Sequence, residues 1–193
     1  MLFEDFKNKL KDLKLFSKGW RSYIYTGHWE NRKVAVKVAK GKELTKAIQK
    51  EGEILEQLKG IKGFPQILLK GEDFLVYNFI EGVPLGKLKL TVEEEINILK
   101  DILKKAYILD SMGIRRDEFQ RLDKNVIVDK KGNVYILDFE RGGFSSKPSN
   151  LTQFLQLLVR KGYIEREEAI YLGKEYKAGR RKEVFFKLLQ KLK

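Results

Sequence analysis

Apolar residues in the first part of the chain follow the two-residue period of β-strands. Residues 16–39 predict a β-meander, with a turn near residues 27–31 and a final strand at 33–39. Two further strands fit residues 66–69 and 74–80. Together these segments predict a five-stranded antiparallel sheet.

Helical spacing of apolar residues marks two other segments. In residues 43–58 they recur every three or four positions, which predicts a helix. Residues 92–111 carry the same pattern over a longer stretch, and Thr91 with Glu94 has the sequence of a capping box at its start. From about residue 150 the chain predicts two or three amphipathic, basic helices.

Two short apolar runs, at residues 126–128 and 134–137, flank a turn sequence and predict a β-hairpin. The segment Glu81-Gly82-Val83-Pro84 has the composition of a hinge. We therefore expect a first lobe at residues 1–82 and a mainly helical second lobe at 83–193 that contains the hairpin. The predicted fold class is α+β, with both lobes in one domain.

Composition narrows the kinds of site that the chain can build. Cysteine is absent and His28 is the single histidine, so a bound metal ion would be held by oxygen atoms. No apolar run reaches the roughly 18 residues that span a bilayer. The first residues lack the pattern of a secretion signal. We expect a cytoplasmic protein that does not contact membranes.

The charge is strongly positive and unevenly distributed. The net charge is +13, and residues 160–193 hold eleven basic side chains against five acidic ones. A surplus of this kind favours anionic partners such as nucleotides, RNA or an acidic protein, although a well-solvated lysine-rich surface is the alternative. The aromatic residues of the meander are expected to pack the sheet and not to stack bases: Trp20, Tyr23, Tyr25 and Trp29.

A lysine and a glutamate in the first lobe are candidates for a functional ion pair. Lys37 and Ala35 share one face of the predicted strand 33–39. An ammonium on a rigid strand is suited to holding phosphate, and the small alanine lets a flat ring approach. Glu51 falls on the apolar stripe of the following helix, so it needs a cation, and Lys37 is the candidate. The alternative is that Glu51 lies at the edge of a peripheral helix.

An amide and a carboxylate flank the predicted hairpin. Because its strands run antiparallel, Asn125 before the first strand is expected near Asp138 after the second. Oxygen ligands of these types, with water and phosphate, suit Mg²⁺. A surface hairpin that ends in polar residues by chance is the alternative.

In this order, the features resemble the signature of the protein kinase-like superfamily. Val34-Ala35-Val36-Lys37 resembles its lysine motif, and Glu51 resembles the ion-pair partner. Asn125-Val126-Ile127-Val128 resembles the metal-binding asparagine with its strand, and Asp138-Phe139-Glu140 stands where Asp-Phe-Gly is expected. Residues 75–82 are similar to the strand and hinge that hold adenine, which implies contacts from Asn78 and Ile80.

The chain also departs from the family pattern in its phosphate loop and its catalytic loop. The phosphate loop, residues 17–22, keeps one glycine, so the resemblance implies that Gly19 and Ser22 lie near the phosphates. The catalytic loop reads Arg-Arg-Asp-Glu at 115–118, and Asp117 lies eight residues before Asn125 where the family pattern has five. Asp117 best fits the group that accepts a hydroxyl proton, with Glu118 as an alternative.

Residues 139–149 leave no room for a long activation segment. The chain is therefore similar to the small atypical kinases of archaea, including RIO-like kinases and the kinase subunit of tRNA-modifying complexes. The resemblance implies an ATP-dependent phosphotransferase that uses Mg²⁺ or Mn²⁺, a serine/threonine protein kinase with autophosphorylation or a restricted, RNA-associated substrate. The competing hypothesis is a pseudokinase, a nucleotide- or RNA-binding scaffold without phosphotransfer.

Overall fold

The computed structural model describes residues 1–193 and divides into two compact units. The first contains residues 1–81 and 137–142, and the second contains residues 82–136 and 143–193. Residues 137–142, which the sequence analysis assigned to the second lobe, group with the first unit. The elements of the two units make the fold class α+β, as predicted.

Five strands form the sheet of the first unit: β1 (Lys11–Lys18), β2 (Ser22–Trp29), β3 (Arg32–Ala39), β4 (Ile67–Lys70) and β5 (Phe74–Asn78). They lie in the order β1-β2-β3-β5-β4 and every pair is antiparallel, so the predicted five-stranded sheet is confirmed. Two helices complete the unit: α1 (Phe3–Phe6) and α2 (Thr45–Gln57).

The turn of the β2–β3 hairpin is narrower than the sequence analysis predicted. Only Glu30 and Asn31 separate the two strands, with φ of 47° and 62°. Two-residue turns with both φ values positive match the natural twist of paired strands, and asparagine tolerates this backbone better than most residues. The pairing therefore continues to Trp29, through residues that the sequence analysis assigned to a loop.

One face of the sheet packs against the start of the chain, which the sequence analysis did not assign to any element. Phe3 and Phe6 of α1 are buried and contact the valines of β3, which lie on one side of the strand. The ring of Phe6 stacks on that of Phe74 with centroids 5.0 Å apart. A four-residue helix is too short to produce a periodic signal, although its two phenylalanines supply much of this core.

The second unit contains five short strands and four helices: β6 (Val83–Pro84), α3 (Val92–Ser111), β7 (Ile114–Arg115), β8 (Val126–Val128), β9 (Val134–Ile136), β10 (Gly143–Phe144), α4 (Asn150–Arg160), α5 (Arg166–Lys177) and α6 (Arg181–Lys191). The predicted bounds of α3 are confirmed, as is its capping box, in which the Glu94 amide donates to Thr91 Oγ1 over 3.2 Å. The β8–β9 hairpin is present, with Val126 opposite Ile136. None of the helices has both the length and the apolar composition needed to cross a bilayer.

We expect Phe6→Ala to lower the free energy of unfolding by about 3–5 kcal/mol, because it removes a fully buried ring from a packed face. Phe16→Ala, in the same unit but with 62% of the residue exposed, is the control and should cost less than about 1 kcal/mol. Denaturant unfolding measures both values. Equal losses for the two variants would contradict the packing role of α1.

Candidate active site

Lys37 lies in the middle of β3 and is buried, with 4% of its surface exposed. Its Nζ donates a hydrogen bond to Glu51 Oε2 over 2.7 Å. Glu51 is itself 3% exposed. The contact expected from the strand and helix periodicities is therefore present, and its role in binding a nucleotide stays a prediction.

Two more carboxylates approach the same ammonium. Asp138 Oδ1 lies 3.1 Å from Lys37 Nζ, and Glu140 Oε2 lies 3.0 Å from it. A lysine ammonium has three N–H donors, and here three acidic side chains surround it. The carboxylate charge around Lys37 therefore exceeds the charge of the lysine.

The packing of α2 brings Glu51 to the lysine. Ile48 and Leu55 lie on the same stripe of the helix and are fully buried with Glu51. Gly52 follows Glu51, and a Cβ there would lie 2.8 Å from a methyl carbon of Leu75, so the glycine permits a close approach of helix to sheet. The Phe139 amide donates to the second oxygen of Glu51 over 3.1 Å, which fixes the carboxylate from its other side.

The electrostatic environment keeps Lys37 charged. Burial alone would lower the pKa of Lys37, but attraction to Glu51, Asp138 and Glu140 outweighs burial and raises that pKa well above its ordinary value. Burial also raises the pKa of Glu51, against the opposing effect of Lys37. The site thus holds a charged Lys37 in contact with three acidic side chains.

Asp138 is the most accessible member of this group, with 43% of its side chain exposed. Its backbone has φ of 65°, a left-handed conformation that costs a non-glycine residue about 1 kcal/mol or more. Oxygen atoms of Glu51, Asp138 and Glu140 all lie within 4.8 Å of one another. Each of the three acids also contacts Lys37, so Asp138, the exposed member, is the one that can offer oxygen to a hard cation such as Mg²⁺.

Glu140 ends the Asp138-Phe139-Glu140 motif, and no role was predicted for it from the sequence. Its side chain is 12% exposed, and besides Lys37 it contacts Ser22 Oγ at 3.4 Å. Ser22 is buried at the start of β2. Glu140 could have been identified from the motif itself, because it is an acidic residue at the position where the family motif has glycine.

The other predicted nucleotide-binding residues occupy ordinary structural positions. Ala35 is buried on β3, opposite Tyr77. The Gly19 amide donates to the Ser22 carbonyl, which closes the β1–β2 turn. Asn78 Oδ1 accepts from the Gln66 amide over 2.6 Å, so this side chain ties β5 to the segment before β4. Ile80 is half-buried just after β5.

Trp20 corrects one expectation. The sequence analysis predicted that it packs the first sheet, but 89% of its surface is exposed. It lies at the tip of the β1–β2 turn, beyond the ends of both strands, where the sheet offers no face to cover it. Trp29 does pack as expected, edge to face against Phe6 with the ring centroids 5.3 Å apart.

The second unit contains the predicted base and its alternative. Asp117 and Glu118 both have left-handed backbones, with φ of 65° and 58°. Asp117 is partly exposed and lies 3.5 Å from the guanidinium of Arg115. Asn125, the other predicted metal ligand, is half-buried directly before β8.

Two side chains of α4 hold the backbone around Asp117. Asn150 Oδ1 accepts from the Arg116 amide, and Gln153 Oε1 accepts from the Phe119 amide, both over 2.9 Å. Strained backbone persists where its surroundings fix it from several sides. Neither anchor is expected from the sequence, because a polar residue in the first turn of a helix is ordinarily only a cap.

Asn150 is in turn held by a buried acid of α3. Asp110 accepts hydrogen bonds from the Asn150 amide, its side-chain nitrogen, the Leu151 amide and the Tyr176 hydroxyl, over 2.7–3.0 Å. Burial raises the pKa of Asp110 even against these donors. The segment that carries Asp117 is thus connected to three helices of the second unit: α3, α4 and α5.

No protein-family model matches the chain. The putative serine/threonine-protein kinase YrzF of Bacillus subtilis (strain 168) is 25% identical over 140 residues, which are 72% of this chain and 64% of that protein. The chain therefore spans less than two thirds of the length of YrzF. At this identity the similarity is a weak indication of a kinase-like relationship.

A second relative is the uncharacterized protein MJ1211 of Methanocaldococcus jannaschii. It is 32% identical over 90 residues, which are 46% of this chain and 76% of that protein. The match thus covers more than two thirds of MJ1211. The chain belongs to the same family as the uncharacterized protein MJ1211.

Proposed function

We propose that this protein is an ATP- and magnesium-dependent phosphotransferase, of the serine/threonine protein kinase type. The observation that carries the proposal is the buried Lys37–Glu51 pair with Asp138 3.1 Å from the same ammonium. A buried ion pair seldom stabilises a fold more than well-packed apolar residues would. Stability alone therefore does not account for this arrangement, whereas a phosphate clamp does.

In the proposed reaction, Lys37 holds phosphate oxygens of ATP. Glu51 fixes the position of the ammonium, because its own carboxylate is held by the Phe139 amide. An ammonium that Glu51 already orients can stabilise negative charge that develops on the phosphates. The small side chain of Ala35, on the same face of β3, leaves space for the adenine ring.

Asp138 and Asn125 are the residues that we expect to hold Mg²⁺ or Mn²⁺. A bound ion of this kind would draw negative charge from the phosphate oxygens. Support for the proposal comes from the carboxylate of Asp138, which is partly exposed and lies among other acidic oxygen atoms.

Asp117 is the proposed group that accepts the proton of the acceptor hydroxyl. Its backbone is fixed through the flanking amides of Arg116 and Phe119, so the carboxylate has a defined position. The relative YrzF, which is named as a putative serine/threonine-protein kinase, supports a hydroxyl acceptor on a protein. The acceptor can be this chain itself or a restricted substrate.

Transfer of labelled γ-phosphate from ATP with magnesium tests the proposal. We expect wild-type protein to incorporate label or release phosphate, and Asp138→Asn to lose about a hundredfold or more of that rate. Asparagine keeps the size of the side chain and tolerates the left-handed backbone. Asp12→Asn is the matched control, because Asp12 is also exposed and has φ of 52°, and it should keep full activity.

Two results would contradict the proposed phosphotransfer. Equal rates for Asp138→Asn and Asp12→Asn would show that Asp138 takes no part in phosphotransfer. Tight ATP binding by the wild type without either product would instead favour the pseudokinase.

The two base candidates can be separated by variants that keep side-chain size. We expect Asp117→Asn to lower kcat by about 10²–10⁴-fold with little change in nucleotide affinity, because it removes only the proton acceptor. Glu118→Gln, one residue away on a similar backbone, should retain most of the activity. If the loss follows Glu118→Gln and not Asp117→Asn, then Glu118 is the base.

A further inference from the structure

We propose that Glu140 occupies the place of a phosphate group at Lys37 and thereby limits the affinity of the protein for polyphosphate ligands. The inference rests on the proposed function, since it concerns the same nucleotide site. It makes Glu140 an affinity-determining residue of that site.

The hydrogen-bonding capacity of Lys37 limits what else can bind there. The Nζ atom has Glu51 Oε2, Asp138 Oδ1 and Glu140 Oε2 at 2.7, 3.1 and 3.0 Å. An ammonium offers three N–H donors and no more. Glu51 and Asp138 accept hydrogen bonds from two of these donors, so Glu140 and a phosphate oxygen would compete for the place beside the third.

Of the three acids, Glu140 is the one that accepts no hydrogen bond from Lys37: the ammonium donates to Glu51 and Asp138 and is in ion-pair contact with Glu140. Both oxygens of Glu51 accept hydrogen bonds, one from Lys37 and one from the Phe139 amide. Glu140 Oε2 has Lys37 at 3.0 Å and the Ser22 hydroxyl at a long 3.4 Å, while Glu140 Oε1 is buried without a hydrogen-bond partner. A buried oxygen without a donor loses solvation that it does not regain in the protein. Withdrawal of Glu140 toward water restores that solvation.

The position of Glu140 also matches that of a phosphate. Its Oε2 contacts both Lys37 on β3 and Ser22 at the start of β2. Ser22 closes the turn with Gly19, in the segment that is expected to hold phosphates. A single carboxylate thus engages the two groups that a phosphate of the nucleotide would contact. The negative charge of Glu140 would also repel a phosphate at this point.

The test measures binding of inorganic tripolyphosphate and of ATP, each in EDTA, by isothermal titration calorimetry. In EDTA no metal ion bridges the acids and the phosphates. We expect Glu140→Gln to bind both ligands about tenfold more tightly than wild type, because the substitution removes the competing charge and keeps the shape. Glu56→Gln is the matched control, since Glu56 also pairs with a lysine in the first unit, and its affinity should equal that of wild type.

Equal or weaker binding by Glu140→Gln overturns the inference. Glu140→Ala is the second variant, and it must shift the affinity in the same direction, which guards against a fold change specific to glutamine. Labelled-phosphate transfer separates this result from the proposed function. Wild-type protein that transfers phosphate, with no tighter binding by either Glu140 variant, refutes the role of Glu140 and leaves the phosphotransferase in place.

Discussion

The interaction on which the first unit depends is the buried contact between Lys37 and Glu51. A buried ammonium needs acidic partners, and these come from α2 and from residues 138–140. Side chains alternate between the two faces of β3, so its valines lie on the face opposite Lys37, where they pack against α1. The same constraint accounts for Gly52, which lets α2 approach closely enough to place its acid.

In the second unit, a buried polar network fixes a segment of backbone. Asp110 is buried and surrounded by donors, among them the side-chain nitrogen of Asn150. Asn150 in turn accepts a hydrogen bond from the amide of Arg116, directly before Asp117. Networks of this kind hold a single geometry when every member is satisfied. This network holds the segment in which Asp117 and Glu118 adopt a strained, left-handed backbone conformation.

The elements that the sequence predicted well are those with a strong period. The two-residue alternation at 33–39 placed Lys37 correctly on its strand, and the helical stripe of α2 placed Glu51 on the buried side. Elements and contacts without a period were missed. The short helix α1 has none, and Glu140 contacts Ser22 across 118 positions of sequence that no local pattern connects. Trp20 was misassigned because alternation continues into a turn where the sheet has ended.

The most direct test of the central claim is a crystal structure of the protein with magnesium and a non-hydrolysable ATP analogue. The account predicts a phosphate oxygen within hydrogen-bonding distance of Lys37 Nζ, with the Lys37–Glu51 contact intact. Nucleotide bound elsewhere on the chain, or phosphates that leave Lys37 enclosed by its three carboxylates, would contradict it.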